Sequence, residues 1–126
     1  MALTNAGCDI IAVLITGASS ALFNNANARI GVGDSDAAFS ASQIDLQASS
    51  NKIRKGMDSG YPQVNGNTIT FRATFGPSDA NFAWKEWGVF NAASGGTMLS
   101  RVVEYNGTKV YGQTWVFQVT LTISIG

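Results

Sequence analysis

The chain has 126 residues, eight of them basic and eight acidic, so its formal net charge is zero. Only 13% of residues are charged, about half the share in an ordinary soluble domain, while 45% are hydrophobic. With no histidine and one cysteine, the sequence excludes a histidine-based triad, an imidazole metal site, an internal disulfide and a thiolate cluster. The charge balance argues against a nucleic-acid partner, because phosphate contacts need a basic excess. The longest apolar run, residues 10–15, falls far short of the ~18 residues that indicate a membrane span. Residues 2–9 carry no basic side chain, which argues against a secretory leader. One domain of this length buries about two-thirds of its unfolded surface. Sparse charge then predicts that part of the remaining surface is covered by a partner.

In chain order, residues 1–20 read as an N-terminal helix or arm and residues 28–126 as a β core. Thr4 or Asn5 can cap the helix, and Ile10, Ile11 and Leu14 follow at helical spacing with Val13 beside them. Gly17 to Ser20 ends it, and Asn24, Asn25 and Asn27 form a polar loop. Ile30 and Val32 alternate with glycines in a short strand ending at Gly33. Around Ser42, with Asp45 three residues on, the pattern predicts a turn of helix carrying Ile44 and Leu46. Residues 51–58 read as a partly exposed strand. Asn65-Gly66 predicts a type I′ hairpin turn. Ile69, Phe71, Ala73 and Phe75 then alternate with Thr68, Thr70, Arg72 and Thr74, the pattern of a half-buried strand. Residues 82–90 are the densest aromatic segment, residues 98–105 form another strand, and Asn106-Gly107 gives a second hairpin signal.

The last segment alternates most regularly, with Trp115, Phe117, Val119, Leu121, Ile123 and Ile125 on one face. Its eleven residues would span over ~30 Å. Such a strand is expected to be central in its sheet or paired across a subunit boundary, since a bare edge of this kind templates aggregation. The whole pattern predicts an all-β chain, an antiparallel sandwich or barrel of about six strands with one short N-terminal helix.

No segment carries a strong catalytic signature. The run from Gly31 to Asp36 lacks the third glycine of a dinucleotide fingerprint and the Lys-Ser/Thr pair of a P-loop, so it reads as a turn. Asp34 and Asp36 offer oxygen ligands without the spacing of a calcium loop. Glu86, between Trp84 and Trp87, could act as a general acid, but no second carboxylate falls into register with it. The sequence favours a structural role in which Glu86 pairs with a cation such as Arg72 or Arg101. Trp84, Trp87 and Trp115 could offer a sugar-stacking platform; if Trp84 and Phe90 share a strand face, Trp87 lies on the other. Asn106-Gly107-Thr108 fits a glycosylation acceptor but reads better as a turn. Cys8 reads as a small packing residue of the helix. No cofactor, metal or catalytic residue is expected.

The segment from Asn81 to Asn91, with Glu86, Gly88, Val89 and Phe90 at its centre, resembles the Glu-x-Gly-apolar-Phe/Tyr motif of tailed-bacteriophage structural proteins, tail-fibre and tail-collar proteins among them. Ile30 to Asp34, Leu46, Arg72 to Phe75, and Gly96 to Arg101 resemble small phage virion proteins in the same order. The resemblance covers most of the chain from about residue 28. It implies a non-enzymatic virion protein, with Glu86, Gly88, Phe90 and Arg101 as structural motif residues.

No heptad stretch or repeated shaft follows. The resemblance therefore implies an accessory subunit made in the bacterial cytoplasm and placed on the virion. Capsid decoration (cement) is the first expectation, and a tail, baseplate or tail-fibre adaptor the second. A host-glycan-binding module is the rival from another class. The expected partners are the chain itself, as a homo-oligomer with a trimer among the candidate states, and the major capsid protein or tail and baseplate proteins. The expected contact residues are Leu3, Ile10, Ile11, Leu14, Phe23, Phe39, Trp84 and Trp87.

Overall fold

A computed structural model describes residues 1–124 of the chain. Its elements in order are α1 (Asn5–Ile15), β1 (Arg29–Gly33), β2 (Lys52–Gly56), β3 (Gln63–Asn65), β4 (Thr68–Phe75), β5 (Ala83–Phe90), β6 (Met98–Thr108) and β7 (Trp115–Thr122). Two antiparallel sheets form, one ordered β2-β1-β5-β6 and the other β3-β4-β7. They enclose an apolar cluster that includes Ile30, Val32, Phe71, Phe75, Trp84, Val89 and Val119. The chain is thus an all-β sandwich of seven strands with one short N-terminal helix.

Thr4 caps α1. Its hydroxyl accepts from the Gly7 amide at 2.9 Å and donates to the Met98 carbonyl at 2.6 Å, so one side chain starts the helix and ties it to β6. The Thr4 amide also donates to Leu99, and the Arg101 amide to Ala2, so residues 2–4 lie along the outer edge of β6. Gly7 seats the helix directly on the Leu99 backbone, a place with no room for a Cβ. Cys8, next to it, is exposed and packs against nothing in the core, because the helix approaches β6 through Gly7.

β4 keeps its predicted bounds, with Phe71, Ala73 and Phe75 buried. The β3–β4 turn is displaced by one residue from the expected pair. Asn65 pairs with Thr68, so Gly66-Asn67 forms the turn, and Gly66 alone takes a positive φ, of 60°. That is the II′ arrangement, which needs glycine at the first central position. The expected hairpin at Asn106-Gly107 does not form. Gly107 pairs with Trp84 inside β6, and its φ of 110° accommodates the strand's irregularity. The chain reverses at Val110–Gln113 instead, where the Gln113 amide donates to the Val110 carbonyl.

The expected helical turn near Ser42 is also absent. Residues 34–51 run without helix or strand across the outer face of the first sheet. β7 ends at Thr122, shorter than the sequence pattern, and lies at the edge of its sheet rather than at the centre. Ile125, expected on that strand, lies outside the described residues.

The β4–β5 connection is fixed by charge. The Asp79 carboxylate accepts from Lys55 Nζ at 2.9 Å and from the Gly76 amide at 2.8 Å. Buried Lys109 donates to the Gly76 carbonyl and to Asn81 Oδ1. The Lys55 bond, then the Gly76 amide, hold the Asp79 carboxyl below the usual carboxylate range. A depressed folded-state pKa adds stability that is present above the unfolded value and lost as pH falls through the folded one. Stability should therefore fall below about pH 4, and Asp79→Asn should flatten that acid limb in urea titrations at stepped pH. Gly7→Ala should lower stability by about 1–3 kcal/mol, read as a fall in Tm by circular dichroism, because the Leu99 backbone cannot move aside.

Candidate functional site

Strand β5 carries two opposite faces, and a bulge decides which residues join which. Glu86 pairs with Val103, and Trp84 pairs with Gly107, so Lys85 alone stands against Glu104, Tyr105 and Asn106. The mismatch breaks strict alternation. Trp84 and Trp87 therefore both face the inter-sheet core, at 1% and 7% exposure. Phe90 lies on the opposite face with Leu46 and Met98. Trp84 and Phe90 therefore do not share a face, and the two tryptophans do.

The aromatic rings build the core. Trp84 meets Phe75, Trp115 and Phe117 edge to face at centroid distances of 4.7, 4.9 and 5.6 Å. Trp87 meets Phe117 at 5.6 Å. Both indole N–H groups have partners, Ala80 O for Trp84 and Glu104 Oε1 for Trp87. Trp84 and Trp87, expected as contact residues, are buried in the core and offer no contact surface, and the alternative of a sugar platform loses both rings.

On the outer face of the first sheet, Glu86 and Arg101 form a fully buried ion pair, Nε to Oε1 at 2.8 Å. The carboxylate also accepts from the Gln47 amide at 2.8 Å, the Ala48 amide at 2.9 Å and the Ser35 amide at 3.4 Å. Arg101 Nη1 donates to the Ala37 carbonyl and to Gln43 Oε1. One strand pair thus grips the 34–48 loop at five points. Of the two cations expected for Glu86, Arg101 is its partner; Arg72 pairs with Asp58 at 2.9 Å.

Glycines make room for this grip. Gly31 lies opposite Gly88, and Gly33 opposite Glu86. A Cβ on Gly33 would strike the Glu86 carboxylate, and one on Gly31 would come within 2.7 Å of the Phe90 ring and 3.1 Å of Leu46. A Cβ on Gly88 would sit 2.6 Å from the Ser100 carbonyl oxygen. The segment from Gly31 to Asp34 is therefore a smooth floor for the loop, and Asp34 accepts from Asn51 Nδ2 at 2.8 Å. Next to Leu46 the loop is held by Asp45, which meets Lys52 at 3.2 Å and Arg54 at 3.4 Å. Arg54 lies 3.6 Å above the Phe90 ring. Burial pushes the Asp45 carboxyl up, but the Leu46 amide, Lys52 and Arg54 together outweigh it and hold the group low.

Glu86 has no carboxylate counterpart. Glu104 serves the indole of Trp87 on the core side, while Glu86 faces the loop. Among the described residues no three metal-ligating side chains gather, and no helix is long and apolar enough to cross a membrane.

The remaining expected contact residues fall into three places. Leu3, Ile11, Leu14 and Phe23 line an open apolar groove of about 500 Å³ beside α1, completed by Ile69, Phe71, Leu99 and the 121–124 segment. Ile15, at 79% exposure, stands on its rim. Ile10 is half-buried on α1, away from the groove lining. Phe39 stands apart on the 34–48 loop, partly exposed. The sequence pointed to Leu3, Ile11, Leu14 and Phe23 as contact residues, but not to Ile69, Phe71, Leu99 and the 121–124 segment that complete the groove from far along the chain. No protein-family model matches this chain, and no curated protein matches it in sequence.

Glu86→Gln should destabilise the fold by about 3–5 kcal/mol, because it leaves the Arg101 guanidinium buried without its counter-charge. Urea denaturation reads the loss, and amide exchange at Gln47 and Ala48 should quicken with it. The double change Glu86→Gln/Arg101→Gln should cost less than the sum of the two single changes.

Proposed function

We propose that this chain is a non-enzymatic structural protein of a tailed-phage virion, acting as a decoration (cement) subunit of the capsid. The observation that carries the reading is the use made of the residues that carry the resemblance. Glu86, Gly88, Phe90 and Arg101, with Gly31, Gly33 and Leu46, belong to one fastening that pins the 34–48 loop to the first sheet. The Glu86 carboxylate is spent on backbone amides and one guanidinium. A general acid must come within hydrogen-bond reach of its substrate, and this group is 1% exposed and covered by the loop it holds.

The surface supports an adhesive role. The chain is neutral overall, and its groove is apolar with no charged residue among those lining it. Such a surface gains by association. Repetition around a shell lets modest interfaces add through multivalency. The glycan-binding alternative loses Trp84 and Trp87 to the core.

Copy number tests the assignment. Quantitative mass spectrometry of purified virions of the encoding phage should find this chain at on the order of hundreds of copies, matching the capsid lattice. A count of roughly three to twelve per particle would move it to the tail or baseplate as an adaptor. Absence from the particle would overturn the virion reading.

A further inference from the structure

The sandwich has four strand edges, and three of them carry a device against pairing. β2 places Lys52, Arg54 and Lys55 among its five residues. β3 has three residues. β6 is covered by residues 2–4 over Leu99 to Arg101, and its ladder to β5 is broken at Glu104 to Asn106. β7 has none of these. Its eight residues, Trp115–Thr122, include no charge, no proline and no glycine, and they are mostly β-branched or aromatic. Among the described residues no strand pairs along its outer side.

The register shows which backbone groups are free. The Ile123 amide donates to the Asn67 carbonyl at 2.8 Å, continuing the β4–β7 ladder. Bonded positions alternate in an antiparallel pair. Phe117, Val119 and Leu121 thus point their N–H and C=O groups at β4. Val116, Gln118, Thr120 and Thr122 point theirs outward, and their side chains lie on the exposed face.

We propose that this edge pairs with the same edge of a second copy, antiparallel about a twofold axis, to make one six-stranded sheet. An axis through Gln118 or Val119 sets outward-pointing residues against outward-pointing residues, so the edge is complementary to itself. The side chains brought together are Val116, Gln118, Thr120 and Thr122, so no like charges meet across the axis. Two neutral chains also carry no net repulsion. The C-terminal end of β7 opens into the apolar groove, through Leu121, Thr122 and Ile123. That supplies apolar area the ladder alone lacks. A standard interface takes ~800 Å² from each partner, about one-eighth of this chain's 6504 Å² surface.

The proposal rests on the self-associating reading above but not on the virion assignment. Copy number decides one and the purified chain decides the other. Sedimentation from ~1 µM to ~1 mM should show a monomer–dimer equilibrium. Amide exchange at high concentration should slow about tenfold or more at Val116, Gln118, Thr120 and Thr122. Phe117, Val119 and Leu121 should be protected at every concentration. Gln118→Lys/Thr120→Lys should return the chain to monomer with those three amides still protected, whereas Thr70→Lys, on the neighbouring strand, should leave the dimer intact. Should the lysine pair prevent folding, the concentration dependence in the unaltered chain decides. A monomer throughout, a cyclic trimer, or a dimer whose four outward amides exchange as in the monomer would overturn the proposal.

Discussion

The buried pair between Glu86 and Arg101 sets the terms for half of this molecule. Two charges without solvent are costly, and their attraction repays the cost only if the remaining donors and acceptors are filled. Here the filling comes from the backbone of a loop that has no regular structure of its own. Three amides turn to the carboxylate, and a carbonyl and an amide side chain turn to the guanidinium. Arg101 Nη2 has no partner among the described residues. The loop needs the ion pair for its shape, and the ion pair needs the loop to be tolerable.

The same constraint explains the glycines. A chain segment can lie on a sheet at hydrogen-bonding distance only where side chains do not intervene. Gly33 leaves room for the Glu86 carboxylate and Gly31 for Phe90 and Leu46, while Gly88 lets β5 pass close to the Ser100 carbonyl of β6. Leu46 and Phe90 then fill the remaining gap and anchor the far end, where Arg54 covers the ring. Charge, backbone and apolar packing thus act on one short stretch of chain. The opposite face of β5 does ordinary work, and the bulge at Lys85 lets both of its tryptophans do it.

Set beside that internal order, the other side of the molecule is unfinished. Helix α1 touches the sandwich mainly at β6 and leaves an apolar groove against β4 and β7. The neighbouring strand edge lacks the charges that guard β2. The apolar groove and the bare β7 edge lie side by side, and the proposed self-association would cover both.

What the sequence determined by itself is what local periodicity carries. A helix cap at Thr4 or Asn5, the bounds of β4 and the alternation along β7 follow from neighbours a few residues apart, and so does the all-β class. A cation for Glu86 was also legible, because a carboxylate among apolar residues needs one, but the choice of Arg101 over Arg72 came from the tertiary structure. Tertiary structure decided the rest. Residues 34–51 carry helix-like capping residues, but their amides are taken by Glu86 some forty residues away. Asn106-Gly107 has turn chemistry, yet pairing with β5 keeps it within a strand. Both tryptophans reached the core through a bulge that no alternation pattern encodes, and β7 became an edge because sheet order depends on which distant strands meet. Spacing along a chain reports faces and turns. Partners separated by tens of residues are chosen only when competing surfaces are buried together.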